Sequence, residues 1–180
     1  DGQMINFPWL GMETFIGNLA RFDVLGARLF ARPLVASRRT IFTALQIGAS
    51  FGADRSPFIY DNDPDNDLEG EVLIYGFDFR MPITYNPILS MALLGDFVLQ
   101  GATPYWGSML GFEGRIVSAI TYAAQARLMG PNFVPNYFDA QYDLFRHEKY
   151  LALTNPHTNE NIRTGWLASL GTNVFSDGIV

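Results

Sequence analysis

Residues 71–83, EVLIYGFDFRMPI, alternate between two kinds of side chain, and this alternation strongly constrains their backbone conformation. From Leu73 onward every odd position is apolar or aromatic, whereas Asp78 and Arg80 occupy even positions. A β-strand points successive side chains to opposite faces, whereas a helix would distribute these residues around its axis. The segment therefore predicts a strand with one apolar and one polar face, and the apolar face must meet either a protein core or lipid.

The same alternation recurs along the chain. The other segments that show it are 22–34, 40–54, 89–101, 106–117, 118–129, 137–145 and 164–175. Together they predict about eight strands of about 9–13 residues, close to the about 9–11 that a membrane-crossing strand needs and longer than the about 5–6 usual in globular proteins. We expect an all-β fold, an antiparallel up-and-down transmembrane β-barrel of about eight or more strands, in a single domain over residues 1–180.

The predicted connections differ in length. Residues 55–70 and 155–163 form long polar loops, whereas 82–87, 102–105 and 116–119 are short. Long loops at one end and short turns at the other are typical of outer-membrane barrels. The sequence predicts no helix, and no run of about 18 consecutive apolar residues predicts a membrane-spanning one.

Composition excludes several classes of function. Charged residues make up 17 % of the chain, below the roughly 25 % usual for soluble domains. The net charge is −6 and the largest basic cluster is Arg38-Arg39, so the sequence predicts no nucleic-acid partner. The chain has no cysteine, which rules out disulfides and thiolate metal sites. We expect no cofactor.

Charges of both signs occupy the polar sides of the predicted strands. We expect them to pair with one another inside a lumen, because an isolated buried charge is very costly. The expected lumen-facing network consists of Arg28, Arg32, Asp78, Arg80, Asp96, Glu113, Arg115, Arg127, Asp139 and Asp143. Within it, Asp139 and Asp143 are expected to share one strand face and to pair with Arg127 or Arg115.

The apolar sides are expected to contact lipid. The residues assigned to this contact are Leu73, Tyr75, Phe77, Phe79, Leu93, Phe97 and Tyr122. Aromatic residues near strand ends, Tyr105, Trp106, Tyr137, Trp166 and Phe175, are expected to form interfacial girdles. The competing explanation is that aromatic residues simply favour strands.

Three segments resemble parts of spirochaete outer-membrane β-barrel proteins. They are FDVLGARLFARPL (22–34), LQIGASFGADRSPF (45–58) and ARLMGPNFVPNYFDAQYDLFR (126–146). The resemblance implies a bacterial outer-membrane location and a pore-like or structural role, and it transfers no catalytic residue. Barrels of this kind usually end on an aromatic residue, whereas this chain ends NVFSDGIV. We therefore expect it to be a piece of a larger barrel.

Three functions remain open at this point. The first is an outer-membrane barrel with a structural, anchoring or porin-like role, whose partners are the bilayer and other subunits of an envelope complex. The second is a soluble, lipocalin-like carrier of a hydrophobic ligand, with Phe77, Phe79, Phe97 and Tyr122 lining its cavity. The third is an outer-membrane lipase, which would need His147 or His157 beside its nucleophile. We expect no enzymatic activity.

The acidic stretch DNDPDNDLEGE (61–71) places Asp61, Asp63 and Asp65 at alternate positions, as calcium loops do. The sixth position is Asn66 rather than glycine, and Val72 stands at the twelfth in place of glutamate. We therefore interpret the stretch as a solvated acidic loop without a metal, and the alternative is a weak calcium site at the three aspartates.

Overall fold

The computed structural model describes residues 5–6, 9–17, 20–36, 40–58, 70–101, 105–117, 119–139, 141–154 and 161–172. This part of the chain forms one antiparallel sheet of nine strands, in which the spatial order follows the order in sequence. The strands are β1 (Ile5–Asn6), β2 (Leu10–Ile16), β3 (Val24–Ala31), β4 (Gln46–Asp54), β5 (Val72–Tyr85), β6 (Leu89–Gln100), β7 (Tyr105–Ile116), β8 (Ile120–Met129) and β9 (Arg163–Thr172). The all-β, antiparallel, up-and-down architecture predicted from the alternation is confirmed.

Within the described residues, three short helices accompany the sheet: α1 (Thr40–Thr43), a 3-10 helix (Tyr142–Leu144) and α2 (Arg146–Thr154). The expectation of no helix is therefore wrong, and so is the strand predicted at 137–145. The sequence RHEKYLALT of α2 is rich in good helix formers, which outweigh the short alternation before it. In the part of the chain that the structure describes, no helix is long and apolar enough to cross a membrane.

The N-terminal part of the sheet was not predicted. Strand β2, LGMETFI, pairs along its whole length with β3, and β1 adds two residues at its other side. Its one charged residue, Glu13, gives too weak an alternation to predict a strand. Strand β4 begins at Gln46, later than predicted, because α1 occupies the start of the predicted segment.

The antiparallel order places the connections at two ends of the sheet. Strands β2, β4, β6 and β8 end at one side, where β3, β5, β7 and β9 begin, and we call it the long-loop end. Strands β3, β5 and β7 end at the other side, where the turn 86–88 joins β5 to β6. In this turn the Asn86 side chain accepts from the backbone N–H groups of Ile88 (3.0 Å) and Leu89 (2.7 Å). This Asx geometry explains a tight reversal without glycine.

The described sheet is open. Strands β1 and β9 form its two edges, and no pairing between them exists among the described residues. Pro82 interrupts the ladder between β5 and β6 with a register shift, because proline has no N–H to donate.

The buried core lies at the long-loop end. It consists of Val24 and Val72 from the strand ends and of Tyr137, Tyr142 and Leu153 from the connection between β8 and β9. Residues 130–139 and 141–154, which we call the covering segment, thus fold back over one face of the sheet. The described core therefore lies on that face.

Candidate functional site

The register separates the side chains of the sheet into an apolar face and a charged face. The apolar face carries the seven residues predicted to contact lipid, and Phe77, for example, lies directly opposite Phe97. Many of its large side chains are exposed: Leu29, Ile47, Tyr75, Phe77, Phe97, Leu110, Phe112, Leu128, Trp166 and Leu170. Leu73, Phe79, Leu93 and Tyr122 are partly exposed. The charged face carries Asp78 and Asp96 and lies under the covering segment at its long-loop end.

Arg28 and Asp78 form the best-defined ion pair of the charged face. The Arg28 Nε donates to Asp78 Oδ2 (3.0 Å) and its Nη2 to Asp78 Oδ1 (2.6 Å). A third nitrogen, Nη1, lies 3.5 Å from Glu13 Oε2. The guanidinium reaches across β4 because Gly48 leaves room there: a Cβ at this position would overlap the Asp78 carboxylate. Glycine on the charged face thus creates the space for an ion pair between non-neighbouring strands.

A second ion pair crosses β6 and joins Arg80 of β5 to Glu113 of β7. Arg80 Nη2 lies 3.1 Å and its Nε 3.2 Å from Glu113 Oε1. Both side chains are close to half exposed. Water screens such a pair, so its contribution to stability is within about 1 kcal/mol.

Four of the predicted network residues make no salt bridge within 4.0 Å among the described residues. They are Arg32, Asp96, Arg115 and Arg127. Arg32 lies one residue beyond the end of β3. Asp96 lies opposite Asp78 in the register, but Arg28 already occupies both oxygens of Asp78. Arg127 instead contacts the Gln125 side chain: when the amide oxygen of Gln125 is turned toward the guanidinium, it accepts from Arg127 Nε at 3.0 Å.

The predicted pairing of Asp139 and Asp143 with strand arginines is wrong. Asp139 instead pairs with Lys149 of α2 (2.8 Å), whose hydrogen bond holds the pKa of the Asp139 carboxyl below its usual value. Asp143 is exposed and lies 3.9 Å from Arg146. The strand geometry assumed for 137–145 fails because this segment belongs to the covering segment.

A buried ion cluster anchors the covering segment to the sheet. Arg146, 2 % exposed, donates from Nε to Asp54 Oδ2 (2.6 Å), from Nη2 to Asp54 Oδ1, and from Nη1 to Asp23 Oδ2 (2.9 Å). Tyr142 donates its hydroxyl to Asp54 Oδ2 at 2.5 Å. Arg21 adds a second positive charge, 3.3 Å from Asp23. Two carboxylates and two guanidinium groups therefore meet where β3 and β4 reach the long-loop end.

The electrostatics of this cluster favour the ionised forms of Asp23 and Arg146. Burial by itself raises the pKa of Asp23, but the hydrogen bond and charge of Arg146 and two backbone N–H groups outweigh it and lower the pKa. Burial opposes the charge of Arg146, but Asp54 and Asp23 outweigh it and raise its pKa. Burial and the hydrogen bond to Asp54 both raise the pKa of Tyr142, which stays a neutral donor.

Sequence reasoning missed the three principal residues of this cluster. Asp54 is the last residue of β4, and Asp23 directly precedes β3. Because the register pairs Val24 with Asp54, the two carboxylates are adjacent once the sheet forms. Their partner Arg146 is 92 and 123 residues away along the chain. No local pattern indicates a contact over such a separation.

The covering segment is also held over β6 to β9. The Gln100 side chain forms two hydrogen bonds with the Val134 backbone, at 2.6 and 2.9 Å. Arg163 of β9 donates to the Phe133 carbonyl at 2.5 Å. The Phe133 ring rests on Gly107 so closely that a Cβ there would overlap it. A cavity of about 390 Å³ lies between the covering segment and the charged face.

Other candidate positions lie elsewhere. Asp61, Asp63, Asp65, His157 and Phe175 fall outside the described residues. His147 is on α2, with its ring 5.3 Å from the Phe58 ring. Among the residues that the structure describes, no cluster of three or more histidine and carboxylate residues is arranged for a metal.

The expected aromatic girdles are only partly present on the apolar face. Tyr137 is part of the buried core, and Tyr105 packs against that core from the charged face. Assignment of these two residues to a girdle is therefore wrong, whereas Trp106 and Trp166 lie on the apolar face.

Comparison of the chain with protein-family models, curated proteins and solved structures gave no match. Any function must therefore be argued from the two faces of the sheet and from the covering segment.

Proposed function

We propose that the chain forms wall strands of a transmembrane β-barrel in a bacterial outer membrane, with a structural, anchoring or channel-like role. In this arrangement the apolar face contacts acyl chains and the charged face lines the interior. The resemblance of segments 22–34, 45–58 and 126–146 to spirochaete outer-membrane barrels supports the same assignment.

One observation carries the proposal: large apolar side chains are exposed on one face along the whole sheet, while ion pairs occupy the other. Phe77 is 54 % exposed, Leu110 56 % and Trp166 83 %. Burying one such side chain contributes about 1.5–3 kcal/mol, so a continuous apolar face left in water forgoes a large stabilisation. Contiguous apolar patches of this kind mark membrane or protein contacts.

The proposal also requires closure of the sheet. Lipid offers no hydrogen-bonding partner, so the free backbone groups of β1 and β9 must be paired when the sheet crosses a bilayer. Either β1 and β9 pair with each other and close the barrel, or further strands pair with both edges in a larger barrel. The covering segment, held by the buried ion cluster, then narrows the interior at the long-loop end.

The position of the aromatic residues argues against the soluble carrier. Such a carrier needs Phe77, Phe79, Phe97 and Tyr122 around its ligand. These residues lie on the face opposite the cavity, whose walls include Asp96 and Arg127.

Fluorescence quenching by brominated lipid tests the proposal. Trp9→Phe and Trp106→Phe leave Trp166, on the apolar face, as the only tryptophan of the chain, and the chain is refolded into vesicles. We expect strong quenching of Trp166 and a gel mobility that changes on boiling. The matched control carries Leu167→Trp and Trp166→Phe in the same background, and its probe on the charged face is expected to be quenched weakly.

Two results would contradict the membrane assignment. One is equal, weak quenching of both probes. The other is a chain that stays monodisperse without detergent and does not associate with vesicles.

A further inference from the structure

The cavity under the covering segment has the construction of a small-molecule site. Its volume of about 390 Å³ lies within the range of about 300–1,000 Å³ typical of ligand pockets. Met109, Met129, Phe133 and Phe138 give it apolar walls, and Asp96 and Arg127 are the charged residues that line it. A mostly apolar pocket with a few converging polar groups is the usual form of such sites.

The two charges in this cavity are of opposite sign but do not meet. Asp96 and Arg127 are aligned in the register with Met109 between them, two strands apart. Arg28 and Asp78 span two strands directly, as do Arg80 and Glu113. Asp96 and Arg127 make no salt bridge within 4.0 Å of each other or of any other described residue. The cavity thus contains an acceptor, Asp96, and a donor, Arg127, that can form further hydrogen bonds with a ligand.

The two charged residues of the cavity differ in their surroundings. Asp96 lies opposite Asp78, and the positive charge of Arg28, which pairs with Asp78, offsets only part of the repulsion between the two carboxylates. Gln125, with its amide oxygen turned toward Arg127, accepts from two nitrogens of Arg127 and orients the guanidinium. A guanidinium has five N–H donors, so others remain for an anionic group.

The part of the covering segment that lies over the cavity is held in place by hydrogen bonds without a ligand. Gln100 holds Val134 from β6, and Arg163 holds Phe133 from β9. Lys149 of α2 donates to the carbonyls of Asn136 (3.2 Å) and Tyr137 (2.9 Å). A preorganised pocket loses less free energy on ordering when it binds a ligand.

We infer that this cavity binds a small zwitterion, an α-amino acid with an apolar side chain. Its ammonium group pairs with Asp96 and its carboxylate with Arg127, while its side chain packs between Met109, Met129 and the aromatic roof. The site lies on the charged face and does not depend on what the apolar face contacts.

Calorimetric titration of the folded chain with three matched probes tests this inference. L-leucine carries both charged groups, 4-methylpentanoate lacks the ammonium, and 3-methylbutylamine lacks the carboxylate. We expect leucine to bind one to one with a Kd below about 1 mM, and each truncated probe to bind at least about tenfold more weakly. Equal binding of all three probes, or no binding of leucine, would overturn the inference.

Two isosteric variants locate the site. Asp96→Asn and Arg127→Gln are each expected to weaken leucine binding about ten- to a hundredfold, because each removes one charge-assisted contact. Arg80→Gln changes a charge of the same face outside this cavity and is expected to leave binding unchanged. Unaltered binding in both cavity variants would refute the assignment. The probe comparison uses the unmodified chain, so it decides the question even where a variant does not fold.

The lipid-quenching experiment and the titration fail independently. Leucine binding without Trp166 quenching would support the site and refute the membrane assignment. Trp166 quenching with no leucine binding would refute the site and leave the membrane assignment supported.

Discussion

Arg146 of α2 and Asp54 at the end of β4 form a two-point ion pair in which the arginine is 2 % and the aspartate 0 % exposed. This contact joins the covering segment to the sheet across 92 residues of sequence. Because both groups are removed from water, each depends on the other for its solvation.

Arg146→Met is expected to lower the free energy of unfolding by about 3–5 kcal/mol, because it leaves the buried carboxylates Asp23 and Asp54 without their main partner. Denaturant unfolding of the refolded chain measures this change. Arg80→Met, which breaks the exposed pair with Glu113, is the matched control and should cost no more than about 1 kcal/mol. Similar costs for the two variants would argue against a special role of the buried cluster.

Two tyrosines of the core are expected to respond differently to loss of the hydroxyl. Tyr142→Phe removes the donor to Asp54 and should destabilise the fold by about 1–3 kcal/mol. Tyr137→Phe removes a buried hydroxyl that has no hydrogen-bond partner among the described residues, so stability should stay the same or rise. Thermal unfolding of both variants checks the difference, and the reverse order would contradict it.

Stability is expected to fall in acid through the cluster and the Asp139–Lys149 pair. The pKa values of Asp23 and Asp139 are lowered from an ordinary value of 3.8. Their contribution is therefore complete above the unfolded-state pKa and is lost as pH falls below about 4, through the lower folded-state values. Unfolding free energies between pH 7 and pH 3 measure this loss.

Asp23→Asn provides the control for the pH dependence. It removes one of the two titrations, so its stability should fall less steeply below pH about 4 than that of the unmodified chain. An unchanged slope would show that the Asp23 carboxyl does not contribute.

Gly107→Ala is expected to loosen the roof of the cavity. An added Cβ overlaps the Phe133 ring, and overpacking of this kind costs about 1–3 kcal/mol. Gly165→Ala is the matched control. Gly165 lies on the charged face, as Gly107 does, but in β9, where a Cβ meets nothing within 4 Å. This substitution should leave the free energy of unfolding unchanged or raise it slightly. Protease cleavage within 130–139 should increase in the first variant only.

A charge introduced on the apolar face is expected to impair membrane insertion. Leu110→Arg places a guanidinium on the face assigned to lipid and should reduce the stability of the inserted form by about 2–4 kcal/mol. Ala123→Arg places the same group on the charged face, opposite Glu113 in the register, and should be tolerated. Equal effects on folding into vesicles would contradict the assignment of the two faces.

The sequence by itself determined the strands and the two faces of the sheet. Alternation of side chains is a local property, so the separation of Phe77 and Phe79 from Asp78 and Arg80 follows once the segment is extended. The same reasoning correctly assigned the charged side of β3, β6, β7 and β8. It failed where alternation was brief, as at 137–145, or weak, as in β2.

Only the tertiary structure decided which charges meet. Arg28 reaches Asp78 because β4 lies between their strands and carries glycine at position 48, and the strand order that makes this glycine matter is not visible in one segment alone. Arg146 finds Asp23 and Asp54 because the covering segment folds back over the long-loop end. Ion-pair partners depend on strand order and chain reversal, which are global properties, whereas the face that a side chain occupies depends only on its neighbours in sequence.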